Sequence, residues 1–134
     1  IYVQKTLSVK RCGEKSCSVD KFHSSGSGFV VKKTSKRVYG VTAGHVCHDP
    51  SPEELVGSSR DAKNKTKTEL DSSYIMVTID GHSYKAEVLT YTMPTDICLF
   101  FVHGLTKNIT PVTIAEKPPV EGEKVYNIGA DSRR

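Results

Sequence analysis

Two residues in this chain have the chemistry and the setting for proton transfer. His45 ends the stretch Tyr39-Gly-Val-Thr-Ala-Gly-His45-Val-Cys47, a short apolar strand (Val38, Val41) that runs into small residues. Small residues permit a tight bend, and a bend can hold a side chain out of the core. Asp96 stands in Pro94-Thr95-Asp96, directly before the apolar run Ile97–Val102, which places its carboxylate at the mouth of a strand. An imidazole takes up and returns protons near neutral pH, and a neighbouring carboxylate can fix its tautomer. A lone histidine does not establish that chemistry, since many are structural.

The elements that must position these residues are strands. Tyr2 to Val9 alternates weakly and predicts a first strand, with a turn at Gly13–Ser16 and a second strand leading to Phe22. Ser24–Gly28 reads as a turn or bulge. Gly-x-Gly without a following helix or a GK[ST] signature is not a phosphate-cradling loop. Phe29–Lys33 and Val38–Thr42 predict a hairpin about Thr34-Ser35. Residues 48–73 are polar and predict an insertion loop, with a short helix at Pro52–Leu55 capped by Ser51. Ile75, Val77 and Ile79, then Tyr84, Ala86 and Val88, alternate about Asp80-Gly81 and predict a second hairpin. Ile97–Val102 reads as a strand covered on both faces. Val112–Ile114 and Val125–Ile128 are expected to supply the last strands. No segment carries a ten-residue helical period, so the fold is all-β, a barrel or a sandwich.

Four blocks occur in order: Gly26-Ser-Gly-Phe-Val30, Val41-Thr-Ala-Gly-His45-Val46, Thr95-Asp-Ile-Cys-Leu-Phe-Phe-Val102 and Glu121-Gly-Glu-Lys-Val-Tyr-Asn-Ile-Gly129. Together they resemble the trypsin/chymotrypsin-like peptidase family, whose members carry a glycine-marked strand, a T-A-x-H histidine, a D-I-x-L aspartate and a closing strand. The resemblance implies a six-stranded antiparallel Greek-key barrel, the first of two. It assigns His45 as general base and acid, and Asp96 as its orienter. It implies a peptide or protein substrate, a C-terminal barrel of the same protein as partner, and no cofactor or metal. On this reading residues 1–130 form the barrel, 131–134 begin the inter-barrel linker, and the second barrel is absent. A bacterial-envelope or viral setting, secreted, periplasmic or virus-associated, fits the compact motifs better than a dedicated cytoplasmic enzyme. Ile1-Tyr-Val-Gln departs from the mature N-terminus of secreted trypsins, which argues against activation through a new terminal amine.

The nucleophile is missing from the pattern. The family carries it in a G-x-S-G-G or G-x-C-G-G turn, whose glycines let two backbone N–H groups face the developing oxyanion. No such turn occurs here. Ser132 follows an aspartate, but arginines stand where the glycines should be. Cys47 is too near His45 in sequence, and Cys98 is expected to be a buried thiol within its strand. The chain therefore resembles the first half of an endopeptidase, serine type ahead of cysteine type, and is expected to be inactive alone. A catalytically dead barrel that binds protein is the alternative. The start at Ile1 and the end at Arg134 suit a piece of a longer protein.

The remaining cysteine readings stay open. Cys12 and Cys17 flank a turn, a spacing that allows a small cross-strand disulfide without requiring one. In many secreted relatives a cysteine directly follows the histidine and forms a bridge; Cys47 is one position beyond that. A zinc site from Cys12, Cys17, Cys47 and His48 would match no structural zinc spacing.

Composition excludes other classes. A formal net charge of +4, 25% charged and 37% hydrophobic residues describe an ordinary globular chain. Lysine and arginine cluster at Lys32, Lys33, Lys36 and Arg37 and at Lys63, Lys65 and Lys67, without interleaved aromatics. That argues against a nucleic-acid partner and against an OB-fold reading. No apolar run approaches the ~18 residues of a membrane span. Asn64 and Asn108 head N-x-T triplets, which matter only on a secretory route.

Overall fold

A computed structural model of the chain describes residues 1–13, 15–51, 54, 67–104 and 109–130. Its elements are β1 (Tyr2–Cys12), β2 (Cys17–Ser27), β3 (Phe29–Lys33), β4 (Arg37–Thr42), α1 (Gly44–Cys47), β5 (Lys67–Ile79), β6 (His82–Thr92) and β7 (Ile97–His103). All paired strands run antiparallel, in the order β2-β1-β5-β6-β7-β4-β3. The fold is thus all-β, as expected for a trypsin-like barrel. It differs from the expected barrel in having seven strands and a ladder that does not close. The two outer strands, β2 and β3, are consecutive in the chain, with Gly28 alone between them. Gly28 exchanges hydrogen bonds with Ile1: its N–H donates to the Ile1 carbonyl at 2.8 Å, and the Ile1 ammonium donates to its carbonyl at 2.9 Å.

Local chemistry explains the turns. The β3–β4 turn is held by Thr34, whose Oγ1 accepts the amides of Lys36 (3.3 Å) and Arg37 (3.0 Å), the habit of threonine in turns. At the β5–β6 turn Asp80 and Gly81 both have positive φ, 51° and 81°, as a two-residue turn matched to strand twist requires. The β1–β2 turn is closed by the Gly13 amide on the Ser16 carbonyl (2.9 Å) and by a Cys12–Cys17 disulfide.

Strand β6 changes partner along its length. Its first half pairs with β5 up to Ala86, and its second half pairs with β7 from Glu87 onward, with a register shift between Val88 and Thr90. That bend wraps the sheet around a core of Val3, Val46, Ile75, Val77, Ala86, Phe100 and Val102. Burying each of the valine, isoleucine and phenylalanine side chains among these stabilises the fold by about 1.5–3 kcal/mol. Val46 comes from α1, so the helix is anchored by the core it caps.

Four expectations need correction. Ser24–Ser27 is strand, paired with β1 through Tyr2↔Ser27 and Gln4↔Ser25, because β1 supplies a ladder that outweighs weak strand propensity. Strand β5 begins at Lys67, inside the expected 48–73 insertion, for the same reason: β1 continues to Cys12 and pairs Arg11 with Thr68. Strand β7 is not covered on both faces at its start, where Ile97 is 51% exposed. Val112–Ile114 and Val125–Ile128 are not strands. They are exposed, and Val112 makes a backbone bond to the Val30 carbonyl (2.8 Å) without a ladder forming around it. Of the expected 52–55 helix only Glu54 lies within the described residues; its amide donates to Ser51 Oγ at 3.2 Å. No described helix is long and apolar enough to cross a membrane.

Candidate active site

The site lies where α1 meets the β6–β7 turn. Ala43 is extended (φ −72°, ψ 141°), and the chain then makes one helical turn in which Gly44, Val46 and Cys47 are buried. His45 is the exposed residue of that turn. Position 44 must be glycine. A Cβ there would overlap the Thr92 carbonyl oxygen and stand 3.0 Å from the Ile97 nitrogen and 3.1 Å from the Asp96 carbonyl carbon. All three are backbone atoms of the opposing turn and cannot swing aside.

That turn runs Met93-Pro94-Thr95-Asp96, closed by the Asp96 amide on the Met93 carbonyl (3.2 Å). Pro94 takes the position where its fixed φ suits a turn. The Thr92 and Thr95 hydroxyls hydrogen-bond across the turn. Asp96 then adopts φ 54°, a left-handed conformation that aspartate tolerates better than most residues. The twist turns its carboxylate toward α1.

There it meets His45 twice. Asp96 Oδ1 accepts the His45 backbone amide at 2.8 Å, and His45 Nδ1 lies 3.0 Å from Oδ1 and 2.9 Å from Oδ2. The amide of His45 is the main influence holding the Asp96 carboxyl below its ordinary value, followed by the ring hydrogen bond, with burial opposing both. An ionised carboxylate only accepts, so Nδ1 is a protonated nitrogen, and in the neutral ring the lone pair is on Nε2. Among the described residues nothing hydrogen-bonds Nε2. The side chains are 59% and 47% exposed, so Asp96 is kept ionised by hydrogen bonds and not by burial.

Both cysteines considered as nucleophiles are engaged. Cys47 and Cys98 form a disulfide, Cα–Cα 6.3 Å, which corrects the reading of Cys98 as a buried thiol. With Cys12–Cys17 also bridged, no described cysteine is free and the zinc alternative falls. The reason lies in register: Cys98 pairs with Thr42, and α1 begins two residues beyond Thr42. No group of three possible metal ligands occurs among the described residues. Ser132 lies outside them.

Several contributors were not visible in the sequence. Lys5, read as one polar residue of a weakly alternating strand, is 3% exposed. Its Nζ donates to the Cys47 carbonyl at 3.2 Å and pairs with Asp49 Oδ1 at 2.7 Å. His48 Nε2 lies 3.0 Å from Glu54 Oε2, and this hydrogen bond foremost lowers the Glu54 pKa. The His48 ring also packs edge-on against Tyr91. At the other end of β4, away from His45, Arg37 stacks over the Phe101 ring at 4.4 Å, with Tyr39 and His103 beside it, so the aromatics absent from the sequence cluster are brought to it by the sheet.

The family model of the trypsin-like peptidase domain matches residues 26–134. The chain belongs to the trypsin-like peptidase family. The matched span includes both His45 and Asp96, and the family makes peptides or proteins the substrate class. Among curated proteins, none matches the chain.

Proposed function

We propose that this domain is the N-terminal barrel, residues 1–130, of a trypsin-like endopeptidase of serine type. His45 takes the nucleophile's proton at Nε2 and hands it to the leaving amine. Asp96 fixes the Nδ1–H tautomer and stabilises the imidazolium that forms. The observation that carries this reading is the double engagement of His45 by one carboxylate, through ring and amide, with no described hydrogen-bond partner at Nε2.

The nucleophile and the oxyanion donors stand in a second barrel beyond residue 134, and the 134 residues alone are inactive. Two features support that placement. No described cysteine is free and no described serine reaches Nε2. Beyond β7, Ile114, Val120, Val125, Tyr126 and Ile128 are 70–91% exposed (Val125 at the lower bound, Ile128 at the upper), apolar side chains that the described residues leave uncovered and that suit burial against a further domain.

The test is labelling of the intact protein with a fluorophosphonate, with the modified residue located by mass spectrometry. A labelled serine beyond residue 134, lost in His45→Ala, is expected. Label within residues 1–134, or inactivation through an alkylated cysteine instead, contradicts the serine assignment.

A further inference from the structure

The catalytic pair is flanked by a second, covalent pair in the same register. Cys47 lies two residues after His45 and Cys98 two residues after Asp96, and their disulfide joins α1 to β7. The bridge is buried, with Cys47 1% and Cys98 0% exposed. A second fixture reaches the same helix end from β1: buried Lys5 donates to the Cys47 carbonyl and pairs with Asp49. The Asp49 amide in turn donates to the Tyr91 hydroxyl at 3.4 Å, and Tyr91 is the cross-strand neighbour of Cys98. A four-residue helix has little stability of its own, so α1 depends on such outside fixtures to keep its place.

We infer that Lys5 and the Cys47–Cys98 bridge are positioning residues for the reaction, together clamping α1 so that His45 stays within hydrogen-bonding reach of Asp96. This inference rests on the proposed catalytic reading of the pair. All three side chains are buried beneath the surface on which His45 stands. Their action is through the placement of the imidazole, whose misplacement by about 1 Å can cost on the order of a hundredfold in rate. The Cys12–Cys17 bridge, at the far tip of the β1–β2 hairpin, has no such action and serves as the control.

The experiment uses the intact protein in four forms: unaltered, Lys5→Met, Cys47→Ala/Cys98→Ala, and Cys12→Ser/Cys17→Ser. Two quantities are read well below each Tm. One is kcat and KM on a peptide substrate; the other is the low-field proton resonance of His45 Nδ1–H, assigned by its loss in His45→Gln. Lys5→Met and the Cys47/Cys98 variant are expected to lower kcat by about tenfold or more with KM little changed, and to shift or broaden the resonance. The control is expected to change neither. If both clamp variants lower Tm yet keep kcat and the resonance, the fixtures are merely stabilising and the inference is overturned. If the unaltered protein hydrolyses nothing, the catalytic reading fails, and the resonance alone then decides the clamp. Lys5→Met keeps the test decisive should the cysteine variant not fold.

Discussion

One carboxylate, that of Asp96, accepts both the backbone amide and the ring Nδ1 of His45, at 2.8 Å and 2.9–3.0 Å. Residues 51 positions apart are thereby fixed in both placement and ring orientation. The amide bond locks the start of α1, and the ring bond selects the tautomer with a free lone pair at Nε2.

Asp96→Asn tests the tautomer directly. Its oxygen still accepts the His45 amide, but its NH2 group then faces Nδ1 and favours the wrong tautomer. In the intact enzyme kcat is expected to fall by about three to four orders of magnitude, with KM little changed. A loss of less than about tenfold in a steady-state assay contradicts the orienting role.

The same hydrogen bonds predict a dependence of stability on pH. The Asp96 pKa is lower in the folded chain than its ordinary value of 3.8. Its ionised form therefore stabilises the fold at every pH above that value, and the contribution fades as the pH falls through the folded-state value. The Tm difference between the unaltered protein and Asp96→Asn should shrink as the pH is lowered past 3.8 into more acid solution. A difference that persists unchanged in strong acid contradicts this account.

Gly44→Ala places a methyl group against the backbone of the β6–β7 turn. Overpacking of this kind costs about 1–3 kcal/mol. Because the atoms pushed belong to the turn that carries Asp96, activity should drop with stability. Thermal unfolding and kcat measured on one preparation check both.

Gly81→Ala gives the contrast. Nothing lies within 4 Å of the added methyl group, so the cost comes only from φ 81°, about 1 kcal/mol. Chemical denaturation should show that loss while kcat stays level. A fall in kcat would mean that the β5–β6 turn bears on the site.

Much of this architecture was legible in the sequence. The alternations on either side of Asp80-Gly81 and of Thr34-Ser35 define hairpins by local chemistry alone, and both are present. The T-A-x-H and D-I-x-L blocks pointed to His45 and Asp96, which the structure brings into contact. What escaped depends on partners distant in the chain. Cys98 bonds Cys47 because β4 and β7 pair in one register, which composition does not reveal. Lys5 is buried because α1 and Asp49 fold over β1, although its strand reads as weakly alternating. Val112–Ile114 and Val125–Ile128 have strand-like composition but no ladder to join, so they remain irregular. The start of β5 at Lys67 is set by the length of β1 and not by its own polar residues.

The most direct test of the central claim is hydrolysis of an unfolded protein substrate by the intact protein and by His45→Ala, with Cys12→Ser/Cys17→Ser as a folded control. The account predicts that His45→Ala loses at least about a thousandfold in kcat/KM while the control keeps full activity. Equal hydrolysis by the intact protein and by His45→Ala would contradict it, and would leave the His45–Asp96 contact without a catalytic role.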